Sequence, residues 1–380
     1  MANTLTNLLP DLYTALDVVS RELVGFIPSV TRDISVDRVA VGQNVRSFIA
    51  PAATSTDITP GVTPPNDGDQ TITNVAIAIT KAKRVPISWN GEETRGVNNN
   101  GPGAAAIRAN QIQQAMRTLV NQIETDIADT YVSCSRAYGT AGTTPFASTL
   151  VDPANVRKIL VDNGCPASDL QLVIGSTAGA ALRTLAQLTK VNESADTTML
   201  RQGTLLDIHG FAIRESAQIK SVTKGTGTAY TSSTAGFAIG ATSIAIITGT
   251  GTVLAGDVVT FAGDTNKYVV KTGVAAPGTI VLQEPGLQVA IAASAVAMTI
   301  GGNYAANMAF GRHAIVLAQR LPALPDGNDL AIDRTTITDD RSGLSFEVAM
   351  YAQYRQMQYE ISCSWGVKVI KEPHTAILLG

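Results

Sequence analysis

Charged side chains make up only 16% of the 380 residues, against roughly 25% in an ordinary soluble protein. Neither sign dominates: 28 Lys and Arg face 31 Asp and Glu, a formal net charge of −3. A dedicated nucleic-acid binder needs a basic excess to neutralise phosphates, so that class is excluded. Aromatics are sparse at 5%, which argues against a ligand pocket walled by rings. The three cysteines, Cys134, Cys165 and Cys363, show no CxxC spacing. An odd number without close pairs predicts reduced thiols in a cytosolic setting, not a disulfide scaffold. No run reaches the roughly 18 apolar residues that span a bilayer. The longest candidate, 289–300, is short and carries Ser294 and Thr299. The first basic residue is Arg21, and Asp11 and Asp17 interrupt the early apolar positions, so no secretion leader is expected. The low charge further suggests a surface largely covered by other subunits.

Motifs of catalysis are equally scarce. His209, His313 and His374 stand alone in the sequence, without an HExxH or comparable ligand pair. There is no GxSxG elbow and no Gly-Lys-Ser/Thr phosphate loop. Gly249-Thr250-Gly251-Thr252 lacks dinucleotide-binding spacing and reads as a turn among strands. Glu124, Asp126 and Asp129 read as the polar face of a helix. No enzyme activity, cofactor or metal is expected.

What is present is architecture. Hydrophobic residues reach 45%, enough to build a core, and the length suggests about two or three domains. Leu12, Leu16, Val19, Leu23 and Phe26 form a helical stripe that ends near Gly25 and Pro28. Residues 45–50 and 71–79 read as two strands, the second with Val75, Ile77 and Ile79 on one face. The polar stretch 52–70 between them makes the unit a long projecting hairpin, whose unpaired edges need a partner. Lys81, Lys83 and Arg84 then form a small basic cluster, either a solvated strand face or a contact to an acidic neighbour. Ile112, Met116, Leu119, Ile123, Ile127 and Tyr131 predict a helix over 104–137, about 50 Å long at 1.5 Å per residue.

Asp152 is the expected cap of a second helix ending at Gly164, 170–174 a buried strand, and Ser176 the cap of a third helix. This alternation predicts a compact α/β lobe. From 221 to 302 the chain turns to Gly, Thr, Ala and Val in short strands at 243–247, 257–261, 267–271, 279–283 and 295–300. That spacing predicts a separate small antiparallel β domain interrupting the lobe. Strand patterns resume at 308–318. Two extended stretches, 344–359 and 361–370, close the chain with weak turn signals between them.

The order of these elements resembles the major capsid (coat) proteins of tailed double-stranded-DNA phages, in the Hong Kong 97-type branch that carries an inserted β-barrel. Gly203-Thr204-Leu205-Leu206-Asp207-Ile208-His209-Gly210-Phe211 resembles the glycine-bracketed strand before the insertion. Val253-Leu254-Ala255-Gly256-Asp257-Val258-Val259-Thr260-Phe261-Ala262-Gly263 resembles a strand of the inserted barrel. The resemblance implies an α+β fold with an N-terminal arm (1–42), an extended hairpin loop (43–81) and a peripheral domain with a spine helix (82–150). An α/β axial domain (151–220 and 303–340) interrupted by the β-barrel (221–302), and C-terminal peripheral strands (341–380), would complete it.

The implied function is assembly: hexamers and pentamers of this chain closing into an icosahedral virion shell around double-stranded DNA. A scaffolding protein and a portal are the implied partners, assembly occurs in the host cytoplasm, and the DNA is touched only weakly and non-specifically. The expected intersubunit residues are Arg46, Phe48, Val75 and Ile77 of the hairpin and Lys81, Lys83 and Arg84 beside it. Some related shells carry Lys–Asn cross-links, for which Lys81, Lys83 and Asn98 to Asn100 would be the available residues, but this branch is not the cross-linking one and none is expected. Three alternatives stand beside this reading: a nanocompartment shell of the same fold enclosing an enzyme cargo, a β-rich decoration or adhesin module, and an enzyme with dispersed catalytic residues.

Overall fold

The computed structural model describes residues 9–22, 25–49, 55–63, 73–100, 104–189, 207–326, 329–338 and 343–380. The expectations placed on Leu23, on 203–206 and on much of 50–72 lie outside them.

Helix α1 (Leu9–Glu22) buries Leu12, Ala15, Leu16 and Val19, the residues spaced by four and three. A short 3-10 turn (Ile27–Ser29) leads to β1 (Thr31–Val39), β2 (Asn44–Ile49), β3 (Thr73–Ala78) and β4 (Lys81–Asn90). The helix α2 (Gly91–Asn100) was not expected, because Val97 is its only aliphatic residue and no stripe exists to find. Its sequence signal is a capping box: the Glu93 amide donates to Asn90 Oδ1 at 2.7 Å, and the Asn90 amide to Glu93 Oε2 at 3.1 Å. Helix α3 (Ala104–Ala128) follows, with Ile112, Met116, Leu119, Ile123 and Ile127 at most 1% exposed. Each such side chain contributes about 1.5–3 kcal/mol of gross burial, and this face packs on α1 and the sheet beneath.

The helix expected to reach residue 137 ends at Ala128. Asp129–Ser133 tighten into a 3-10 turn, and Arg136–Tyr138 become strand β5. Then come α4 (Val151–Asp162), β6 (Leu170–Ile174), α5 (Ser176–Thr184), α6 (Ala186–Thr189) and β7 (Phe211–Glu215). Two expected caps are corrected. Helix α4 starts at Val151, and the Asp152 carboxylate instead accepts the Phe146 amide at 2.7 Å. Helix α5 is capped at Gly175, with Ser176 already its first residue. Residues 207–210, expected as strand, form a turn before β7, with His209 at φ 53° and Gly210 at φ 80°.

Strands β8 (Ser221–Val222), β9 (Tyr230–Thr231), β10 (Ser243–Ile246), β11 (Val258–Phe261), β12 (Lys267–Thr272), β13 (Gly278–Leu282) and β14 (Ala297–Ile300) fill the Gly- and Thr-rich segment. The chain closes with β15 (Tyr304–Gly311), β16 (Ile315–Pro322), β17 (Ala331–Thr338), β18 (Ser345–Gln353), β19 (Gln356–Val369) and β20 (Thr375–Leu379).

Two large sheets result. A six-stranded sheet runs β1-β16-β19-β18-β17, with β4 also on β19; β1 lies parallel to β16. Thus β1, expected within the arm, is part of the body. Strand β19 pairs with β4 along residues 356–365 and, on its other edge, with β18 and then β16. It is sandwiched so completely that Ser362 and Ser364 are buried as well as Ile361, Cys363 and Trp365. A twelve-stranded sheet runs β7-β6-β15-β20-β5-β12-β11-β14-β9, with β8, β10 and β13 branching from it.

The segment 221–302 has its own core, including Tyr230, Ile244, Val259, Phe261, Tyr268 and Ile280. Its backbone ladder is nonetheless continuous with the lobe, because β12 pairs with β5 through Lys267–Ala137 and Tyr268–Arg136. Within the segment, the Asp257 carboxylate accepts the Gly225 and Leu254 amides. The segment 303–340 is divided between the sheets: β15 belongs to the larger, β16 and β17 to the smaller. At the C-terminal end, β20 leaves the smaller sheet to pair with β15 and β5.

Candidate intersubunit surface

Strands β2 and β3 form an antiparallel ribbon in which Arg46 faces Ala76 and Phe48 faces Asn74. Among the described residues they pair only with each other, so both outer edges carry unpaired backbone groups.

The ribbon is fixed at its base. Ile77 and Ile79 are fully buried against Val316 and Ala318 of β16. The Ile79 amide donates to Gln43 O at 2.9 Å, the Thr80 amide to Trp365 O at 3.1 Å, and Lys368 Nζ to Ala76 O at 3.0 Å. Gly366 makes the crossing possible, since a Cβ there would lie 2.0 Å from Ala78 O. Ile77 therefore seats the hairpin on its own subunit, and its expected role in a neighbour contact is not available to it.

Farther out the character changes. Arg46 is exposed and Val75 half-buried, while the Phe48 side chain lies outside the described residues. In the connecting loop every residue from 55 to 63 is exposed, with Ile58 and Val62 open to water over essentially their whole surface.

The basic cluster is divided by strand alternation and by its partners. Lys81 Nζ binds Asp126 Oδ1 at 2.5 Å, and Trp365 Nε1 donates to the other oxygen of Asp126 at 2.7 Å. Arg84 pairs with Glu360 across the ladder at 2.6 Å. Lys83 is exposed, with no ion pair among the described residues. Of the three, Lys83 is the one free to meet a neighbour. The Asn98 side chain accepts the Ala104 amide at 2.8 Å, and the side chains of Asn99 and Asn100 lie outside the described residues.

The acids of α3 do more than face water. Glu124 is buried, and its two oxygens accept the Phe26 amide (2.9 Å), the Ile27 amide (2.7 Å) and the Ser216 hydroxyl (3.1 Å). Burial outweighs these bonds and holds its carboxyl above the ordinary 4.5. Asp129 pairs with Lys220 at 3.0 Å. Cys134 and Cys363 are fully buried free thiols, each pushed up to about 12 by desolvation, and so chemically quiet. His313 and His374, isolated in sequence, meet in space beside Cys165. No helix among the described residues is long and apolar enough to cross a membrane.

No sequence family matches the chain, and no curated protein is similar to it in sequence. Solved structures do match. The capsid of cyanophage P-SCSP1u aligns with 94% of this chain and 88% of its own, at 11% identity and a TM-score of 0.51. A structure from Mycobacterium phage Che8 aligns with 90% of this chain and 88% of its own, at 14% identity and a TM-score of 0.46. A virus-like particle from Pyrococcus furiosus covers 97% and 98%, at 8% identity and a TM-score of 0.45. At 11% identity the likeness to the cyanophage capsid is one of fold: mixed α+β and mostly sheet. The chain therefore carries the fold of a phage capsid protein, in agreement with the Hong Kong 97-type resemblance of its sequence.

Proposed function

We propose that the chain is a major capsid protein, a structural subunit that assembles with itself into hexamers and pentamers of an icosahedral phage head enclosing double-stranded DNA. In this reading α3 is the spine helix, the β2–β3 ribbon and its loop form the extended hairpin, and 221–302 is the inserted β domain. Assembly takes place in the host cytoplasm on a scaffolding protein and a portal, and the DNA is held only weakly by the near-neutral shell. The subunit has no catalytic role.

The observation that carries the reading is the ribbon. Its base is pinned by buried Ile77 and Ile79, while its edges, Ile58 and Val62 lie open. An isolated monomer gains nothing from such an arm. A neighbour under it would pair the strand edges and cover the two aliphatic side chains, a gross gain of about 1.5–3 kcal/mol each. Association costs cancel much of that, so single contacts stay weak and a ring can correct itself before it closes.

Sedimentation with negative-stain imaging of the full chain, alone and with its neighbouring genes, tests the proposal. Closed shells or open polyheads are expected in at least one preparation. A discrete monomer or trimer in both would overturn it in favour of a β-rich binding module, and shells filled with an enzyme in place of DNA would favour the nanocompartment. A finer test uses the exposed cations. Arg46→Glu with Lys83→Glu is expected to move the unfolding free energy by no more than about 0.5 kcal/mol, as surface changes do, yet to cut particle yield sharply. Unchanged yield would remove both residues from the interface.

A further inference from the structure

We propose that Cys165, His313 and His374 form a binding site for one divalent transition-metal ion of the zinc class. Their ligand atoms all lie within 4.8 Å of one another. His313 Nε2 and His374 Nδ1 face each other at 2.7 Å, and the rings meet edge to face at 79°. Two imidazole nitrogens at that distance share a single proton. A metal ion can take its place once the nitrogens part to the roughly 3.3 Å set by two Zn–N bonds of about 2.0–2.1 Å in a tetrahedron. One thiolate and two imidazoles are the donor set that borderline-soft divalent ions prefer over Mg2+ or Ca2+. Three protein ligands leave the fourth position to water.

The surroundings suit the role. Gly311 closes over the cluster: a Cβ there would stand 2.9 Å from Cys165 Sγ and 2.7 Å from His313 Cε1. Burial first, then the Lys371 ammonium, holds His313 below its usual range, and burial, then His313 and Lys371, does the same for His374. Burial raises the Cys165 thiol, which donates to Pro166 O at 3.6 Å. Metal binding would displace the thiol proton to solvent.

The placement in the fold gives the site a purpose. His313 lies in the passage from β15 to β16 and His374 in the passage from β19 to β20. Both are crossings between the two large sheets. Cys165 lies between α4 and β6, on the larger sheet's side. One ion would therefore clip three chain segments at the junction of the sheets, and would stabilise the subunit in proportion to its occupancy.

The test is titration of the full, chelator-treated chain with Co2+ under reducing conditions, read by absorption. One equivalent is expected to produce tetrahedral d–d bands and a thiolate charge-transfer band. Zn2+ should displace the Co2+, raise the melting temperature, and slow alkylation of Cys165 by iodoacetamide at least tenfold. Cys165→Ser is expected to lose the charge-transfer band and His374→Gln to weaken binding at least tenfold. The second variant decides the matter if the first does not fold. No thiolate band at one equivalent, or the same spectrum and affinity in His374→Gln, would overturn the site and leave a hydrogen-bonded histidine pair.

Discussion

Replacing Gly366 by alanine is expected to cost about 3 kcal/mol and to release the base of the hairpin. The new Cβ would stand 2.0 Å from Ala78 O, 2.9 Å from Ala78 C and 3.1 Å from Ile79 Cα. All three are backbone atoms, so no rotamer change relieves the overlap, and either β19 or the ribbon must move. The ribbon is the softer of the two. Its hold on β19 rests on the bond from Thr80 to Trp365 O and the Lys368 contact to Ala76 O, whereas β19 is laddered to β16 through Gly366 itself and to β4 up to Trp365. Amide exchange at Ile79 and Thr80 should therefore accelerate far more than exchange in β19 itself, and particle yield should fall. Gly96→Ala is the control. That glycine lies in α2 with nothing within 4 Å of a new Cβ, so the change should stabilise by up to about 1 kcal/mol. Equal effects from the two substitutions would contradict the account of how the hairpin is seated.

Glu124→Gln is expected to cost about 2–4 kcal/mol despite its similar shape. Both carboxylate oxygens accept from a backbone amide that cannot turn away: Phe26, beside the rotatable Ser216 hydroxyl, on one and Ile27 on the other. A glutamine must point its NH2 at one of these sets, donor against donor. It thereby loses a charge-assisted bond and strands a buried amide. The 3-10 turn Ile27–Ser29 that leads into β1 would come loose from α3.

The pH dependence has a definite sign. The folded carboxyl lies above its ordinary 4.5 because it is buried, so the folded state holds the proton more tightly than the unfolded one. Its contribution is complete below about 4.5 and is lost as pH rises through the raised value. Urea unfolding across that window should show stability declining with pH in the wild type, and Glu124→Gln should lack that component. Identical slopes would show that Glu124 does not titrate there.

The parts of this fold that sequence reveals are those set by local periodicity. The stripes on α1 and α3 bury as spaced. Five of the seven strands of 221–302, β10 to β14, fall within a residue or two of expectation because left-handed glycines such as Gly249, Gly263 and Gly286 punctuate them, while the two-residue β8 and β9 carry no pattern to read. Where a distant partner decides, the pattern misleads. Tyr131 continues the α3 stripe, yet Arg136 and Ala137 gain sheet bonds on both sides, to β20 and β12, that helix could not offer. The β18–β19 turn at Tyr354 and Arg355 puts a non-glycine residue at φ 56°, so no Gly or Asn marks it.

The candidate surface divides in the same way. The hairpin was legible from alternation and a polar loop. That Ile77 is buried and that Lys81 and Arg84 find ion-pair partners in the same subunit depends on residues far along the chain: Val316, Asp126 and Glu360. Glu124 meets a partner 98 positions away, and His313 one 61 away. No spacing rule reaches across such separations.

The central claim is that the ribbon lies on a neighbouring subunit in a closed shell. Electron cryomicroscopy of the fastest-sedimenting species, formed by the full chain with its neighbouring genes, tests it most directly. Rings of five and six copies are expected, with each β2–β3 ribbon across the adjacent subunit and Ile58 and Val62 covered. A discrete monomer or trimer, or a shell in which the ribbon and those two side chains remain in solvent, would contradict it.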